Sequence, residues 1–191
     1  MAFCDHVLTR GIQGYNCEAP ALKGAQSMGY LYNRADIANV VTHAHFCVDL
    51  VLKTGAQAYR VYQYGKTPFN GTQQEMTEGV YANTITNTVQ LVVLKQDENW
   101  AEQLYALING EFVCAIRING GKPSDFHNSH DWVVLGSEAG LHCTGAVREL
   151  YNDDTLAGWL LTFTEEGASR VWYSQDPENG DEVSPIEPVT P

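Results

Sequence analysis

The chain has 191 residues, 44% of them hydrophobic and 18% charged, with a formal net charge of −12. That length suits one well-filled core, and the composition is ordinary globular material that excludes a disordered chain. The acidic balance argues against nucleic acid held on the outer surface, because phosphate recognition needs clustered Lys and Arg.

Residues 1–20 show little periodicity. Val7-Leu-Thr-Arg10 is a short strand candidate, but Gly11, Gly14 and Pro20 break the segment into an arm. The start of the chain lacks the basic and apolar regions of a signal peptide, which points to folding in a cytoplasm. The domain proper is expected over residues 21–173. Tyr30-Leu-Tyr32 reads as a short strand and Asn33-Arg-Ala-Asp36 as a turn. Residues 40–52 read as one strong strand. Alternation there places Ala44, Phe46, Val48 and Leu50 on one face, with His43, His45, Cys47 and Asp49 on the other. After the Thr54-Gly55 turn, the Tyr- and Val-rich residues 57–64 read as the second arm of a hairpin.

Residues 65–87 carry Pro68, Gly71 and Gly79 amid Thr, Gln and Asn, and read as a long loop of the kind that binds something. Residues 84–95 read as a strand apolar on both faces, hence covered on both sides. A helix is expected over residues 98–109. Asp97 is a suitable N-cap, Glu98 favours the positive helix end, and Gly110 suits a left-handed C′ position. Trp100, Leu104, Leu107 and Ile108 form its apolar stripe, which should cover the core face of a sheet.

The run Glu111-Phe-Val-Cys-Ala-Ile-Arg-Ile118 follows at once as a strand, and residues 119–130 as a loop. Residues 132–135, 140–147, 157–164 and 169–173 are further strands. Asn152-Asp-Asp154 and Glu165-Glu-Gly167 supply turn chemistry between them. Such spacing predicts a mainly β fold, a β-sandwich or barrel with one packed helix. Residues 174–191 hold four prolines, five acidic residues and no Lys or Arg, an extended solvated tail.

Motifs for catalysis are sparse. His43-x-His45-x-Cys47, with His142-Cys143, resembles a zinc ligand set, but spacing by two along a strand serves a polar interior equally well. Cys4-Asp5-His6 has the residue types of a cysteine nucleophile, yet sequence neighbours point in different directions. Asp153-Asp154 and Glu165-Glu166 are carboxylate pairs in turn contexts, where solvation is commoner than glycosidase chemistry. The five cysteines, without a Cys-x-x-Cys, read as small buried hydrophobes. Tyr59, Tyr62, Tyr64, Trp100, Trp132, Trp159, Trp172 and Tyr173 read as core or interface anchors, with a carbohydrate platform as the alternative. No enzyme, cofactor or metal is expected. The scarcity of charge, against a usual ~25%, suits a subunit that buries its outside against copies of itself.

Several stretches carry a resemblance: Cys4-Asp-His-Val-Leu-Thr-Arg-Gly-Ile12, Lys53-Thr-Gly-Ala-Gln-Ala-Tyr-Arg-Val-Tyr62, Gly65-Lys-Thr-Pro-Phe-Asn-Gly-Thr72, Asn109-Gly-Glu-Phe-Val113 and Leu156-Ala-Gly-Trp-Leu-Leu-Thr-Phe-Thr-Glu165. Together they resemble structural proteins of tailed bacteriophages and prophages of Bacteroides-type bacteria, with the major tail tube family the nearest in size and layout. The resemblance implies a β-sandwich or barrel subunit of stacked, usually hexameric rings, with inner strands joined edge to edge around a DNA channel. Partners would be the chain itself and other tail proteins. DNA would pass without specific binding, no membrane would be involved, and the location would be the virion tail after assembly in the host cytoplasm. Bridging between rings would fall to residues 65–87 and 1–20, with Phe69, Thr72, Met76 and Tyr81 as candidate contacts. A head decoration, capsid or head–tail connector subunit would share these features, as would a carbohydrate-binding β-sandwich in part.

Overall fold

The computed structural model describes residues 24–43, 47–63, 65–80, 82–94, 98–119, 132–151, 153, 155–169 and 171–174. The fold is mainly β with one α-helix among these residues: β1 Ala25–Asn33, a 3-10 turn Arg34–Asp36, β2 Ile37–His43, β3 Cys47–Leu52, β4 Tyr59–Tyr62, β5 Gln73–Thr77, β6 Thr84–Val93, α1 Glu98–Asn109, β7 Glu111–Ile118, β8 Trp132–Leu135, β9 Leu141–Arg148, β10 Trp159–Ala168 and β11 Trp172–Ser174. The strands are hydrogen-bonded in the order β2-β3-β11-β8-β7-β9-β10-β6-β5, with β1 on β7 and β4 on β1. All pairings are antiparallel except the short parallel contact of β11 with β3.

β7 is the centre. Its uninterrupted apolar run is buried from Phe112 to Ile116 because both of its faces are covered. Phe112, Cys114 and Ile116 point into one core, with Leu31, Val133, Leu135, Leu141, Val89, Leu91, Leu161 and Phe163. Val113 and Ala115 point the opposite way, into a second core with Tyr30, Tyr32, Trp132, Val134, Ile37 and Leu50. Strict alternation along β1, β7 and β8 therefore feeds two apolar layers from one set of strands.

β8 and β9 run along the same edge of β7, since Cys114 faces Leu135 and Phe112 faces Leu141. Between them, residues 136–140 loop out opposite Val113. Gly136 and Gly140 both take positive φ (+87° and +88°), and the Gly140 N–H donates to the Gly136 carbonyl at 3.1 Å. A Cβ at Gly136 would meet the Phe112 carbonyl oxygen at 2.7 Å. This loop lets the chain leave β7 and enter the four-stranded section β9-β10-β6-β5.

Several expectations need correction. Residues 40–52 are two strands of one hairpin, with His43 opposite Cys47, and β4 pairs with β1 rather than with β3. Alternation marks a strand's faces but leaves its partner open. The strand covered on both sides is β7. In β6 only Asn87, Val89 and Leu91 are buried, while Leu94 beyond its end is exposed. The stretch read as a long loop contains β5, and Glu165 and Gly167 lie within β10, where the register shifts past Glu165. The helix bounds agree with the expected 98–109, and Leu104 and Leu107 pack against the first core. Ile108, by contrast, is exposed. Gly110 is not left-handed. A side chain there would collide with the Phe112 ring and lie 2.7 Å from the Ala106 carbonyl oxygen. The expected arm at 1–20, the loop at 120–130 and the tail beyond Ser174 lie outside the described residues, and Ser174 itself ends β11.

Candidate assembly surfaces

The section β9-β10-β6-β5 has one face on the first core and one face open. Register places Gln73, Glu75 and Thr77 of β5 beside Thr88, Thr86 and Thr84 of β6, and Thr164 and Thr162 of β10 beside Thr88 and Gln90. Thr144 of β9 joins the same face, its hydroxyl 2.9 Å from that of Thr164, and the Thr77 and Thr86 hydroxyls are 3.2 Å apart. β-branched threonine suits a half-covered strand, and cross-strand Thr pairs add local support. Lys and Arg occur at none of these positions, so this part of the face is mostly hydroxyls and amides, with Glu75 as a carboxylate and the exposed His142 opposite Thr164.

The two halves of the β6 margin are finished differently. Along its second half, side chains do the work of a strand. The Gln63 amide accepts from the Val92 N–H at 2.8 Å and donates to the Val92 carbonyl at 3.1 Å, and Thr72 Oγ1 accepts from the Gln90 N–H at 3.3 Å. Along its first half lies β5, all five residues of which are exposed and which, among the described residues, pairs with β6 alone. β5 is short and carries one charged side chain, Glu75, but it has no Pro, no Lys and no register shift, three further means by which an edge is protected from pairing with another chain. At the far side of the section, the pairing of β9 with β7 stops at His142.

One buried carboxylate ties this edge to the centre. Glu165, 1% exposed, accepts from Asn87 Nδ2 at 2.6 Å and from the N–H groups of Gly136 (2.8 Å), Glu138 (3.1 Å) and Ala139 (2.8 Å). Asn87 in turn accepts from Gln74 Nε2 of β5 at 2.8 Å. Glu138 extends the cluster outward to the Ser169 N–H and hydroxyl, at 2.9 and 2.8 Å, and Arg34 donates to the Glu138 carbonyl at 2.9 Å. A carboxylate filled by four donors organises the 136–140 loop. The sequence reading placed Glu165 in a turn. Its visible signal was position, two residues after Phe163 and four after Leu161 on the inward face of one strand.

A pocket of about 590 Å³ opens beneath residues 66–72, with Phe69, Ile116, Ile118, Val133 and Leu135 on its apolar side and Lys66 at its rim. Of the expected contact residues, Phe69 is a correction. Only 4% exposed, it packs in the first core against Gly29, so it holds the loop down instead of facing a neighbour. Thr72 is half-buried on Gln90, Met76 is 69% exposed on β5, and Tyr81 lies outside the described residues.

The chemical candidates are not brought together. His43 and Cys47 are cross-strand neighbours, whereas His142 is exposed on the distant β9 and His45 lies outside the described residues. Cys143 is half-buried, and burial raises its thiol pKa. Among the described residues no group of three or more His, Cys, Asp or Glu is placed to hold a metal ion. Cys4, Asp5, His6 and Asp154 fall outside the described residues, and Asp153 and Glu166 are exposed. Tyr59 and Tyr62 are exposed at opposite parities of β4, so they do not form a shared platform. No helix among the described residues is long and apolar enough to cross a membrane. Comparison with protein-family models, with curated proteins and with solved structures finds no match.

Proposed function

We propose that the chain is a ring-forming structural subunit of a bacteriophage tail tube, assembled from copies of itself around a passage for DNA. The observation that carries this reading is β5, an exposed sheet edge without Pro, Lys or a register shift, on a section whose open face carries hydroxyls and no Lys or Arg at its Thr, Gln and Glu75 positions. An unpaired strand edge is a row of donors and acceptors that another strand completes. Joining the β5 edge of one copy to the β9 edge of the next would extend the four-stranded section into a closed wall. The threonine face would then line the passage, where the absence of Lys and Arg keeps phosphates from adhering. The resemblance of the segments around Lys53, Gly65 and Leu156 to tail tube proteins supports the same assignment.

Sedimentation velocity over a concentration series, followed by electron microscopy of the purified chain, tests it. Rings or open-ended tubes are expected. A chain that stays monomeric at high concentration overturns the proposal, and closed shells or single end-on rings would redirect it to a capsid, decoration or connector role.

A further inference from the structure

β5 has no buried residue, so hydrogen bonds rather than packing must hold it flat against β6. Its side chains supply few. The Thr77 and Thr86 hydroxyls are in contact, and Met76 Sδ accepts from Asn83 Nδ2 at 3.6 Å, both in exposed positions. Gln74 Nε2 donates to Asn87 Oδ1 at 2.8 Å, and Asn87 is 2% exposed. Among the described residues this is the one side-chain bond of β5 that ends on a buried group.

The direction of that bond is set at the centre of the molecule. Backbone N–H groups only donate, so Glu165 accepts with both oxygens, from Gly136 on Oε2 and from Glu138 and Ala139 on Oε1. Asn87 meets the same Oε2 at 2.6 Å, and an acceptor there admits only its amide nitrogen. Asn87 Oδ1 is thereby turned towards β5, and whatever reaches it must donate. Gln74 does so with its own amide nitrogen. A carboxylate 1% exposed thus orients two amides in turn, out to the sheet edge. Gln74 and Asn87 are also direct cross-strand partners. A slip of two residues, the smallest that keeps the same faces, would put Thr72 or Met76 opposite Asn87 in place of the long amide.

We infer that Gln74 is a positioning residue of self-assembly: it presents β5 flat and in register to a second copy, by supplying the donor that buried Glu165 demands through Asn87. An edge ordered beforehand loses less entropy when a partner strand is added. The inference rests on β5 as the assembly surface and adds how the interior of the subunit prepares it.

The test compares Gln74→Glu and Gln74→Ala in the full chain by sedimentation velocity, with thermal melting and amide exchange alongside. An ionised Glu has no proton to give Asn87 Oδ1, whereas the protonated acid donates as Gln does. At neutral pH both variants are expected to associate about tenfold more weakly than the wild type, with an unchanged melt because the position is exposed. The amides of Gln73, Glu75 and Thr77 should exchange about tenfold faster, with Val89 and Leu91 unchanged. Those three face β6, because their partners Thr88, Thr86 and Thr84 share the parity of Gln90 and Val92, whose N–H groups point to this margin. As pH falls through about 4.3, the ordinary value for Glu, Gln74→Glu should regain about tenfold over Gln74→Ala at the same pH. That ratio cancels the protonation of the other carboxylates. If the wild type assembles while the variants match it, or Gln74→Glu follows Gln74→Ala at every pH, the positioning role is overturned and the β5 edge stands. A melt lowered in both variants makes Gln74 a support of the fold and overturns the role as well. A wild type that is monomeric throughout brings down both readings.

Discussion

β7 and β5 belong to one hydrogen-bonded sheet, yet almost nothing around them is alike. β7 has strand neighbours along both edges and a core on each face, and its residues from Phe112 to Ile116 are buried. Among the described residues β5 has one neighbour, no buried residue and one open edge. Burying a Val, Ile or Phe side chain fully stabilises a fold by about 1.5–3 kcal/mol, whereas a hydrogen bond contributes about 0.5–1.5 kcal/mol net. The centre is thus held by side chains from five or more elements. The edge is held by its ladder to β6 and the Gln74–Asn87 bond. Free energy is concentrated where it makes the subunit, and the region left for a partner contributes little to the subunit itself.

The largest expected effect breaks the first side of that contrast. Phe163→Ala empties a place in the first core beside the edge-on Phe112 ring and should destabilise by about 3–5 kcal/mol in denaturant unfolding. A smaller loss would mean that the core around β7 relaxes into the space.

A second effect comes from alkaline titration. Burial pushes the Cys114 thiol up to about 12 from an ordinary value of 9.0. Above pH 9 the unfolded thiol loses its proton while the folded one keeps it, so the unfolded state binds fewer protons and stability falls as pH rises. This group's contribution is complete below pH 9 and declines by up to about 1.4 kcal/mol per pH unit towards pH 12. Melting temperature against pH should therefore be shallower in Cys114→Ala than in the wild type over that range. Parallel slopes would show that other buried groups, the Tyr32 phenol among them, carry the alkaline loss.

The link between centre and edge should lie in between. Glu165→Gln replaces an oxygen that accepts hydrogen bonds with an amide group that faces other donors, and should cost about 1–3 kcal/mol. Amide exchange would sharpen the reading, with Gly136, Glu138 and Ala139 losing protection first. Smallest of all is the edge itself. Glu75→Lys with Met76→Lys should leave stability within about 0.5 kcal/mol while preventing assembly, since lysine on an open strand blocks pairing. A large loss of stability there would place β5 in the fold's foundation and end the contrast.

Much of the strand inventory was legible in residues alone. Trp132 to Leu135, the run after Gly110 and the helix over 98–109 have one local solution, because hydrophobic periodicity acts within a few residues; the expected cap Asp97 lies outside the described residues and Gly110 is not left-handed. The split of residues 40–52, the pairing of β4 with β1 and the existence of β5 were not legible. β5 reads Gln-Gln-Glu-Met-Thr, with Met76 its one apolar residue and so no alternation to read, and it is a strand because β6 lies beside it. Of the expected contact residues, Met76 lies exposed on β5, whereas Phe69 is buried in the first core. A phenylalanine beside Pro68 in a polar stretch gives no sign that its ring reaches Gly29.

What the chain's own order of residues determined is therefore the mainly β character, the one helix, and the alternation that sorts side chains to two faces. Those are consequences of backbone geometry and act at short range. The fold decided which strand would be covered twice, which carboxylate would be enclosed by four donors, and which edge would stay open. Each of these depends on neighbours brought from distant parts of the chain, and a side chain's burial is a property of what lies across from it.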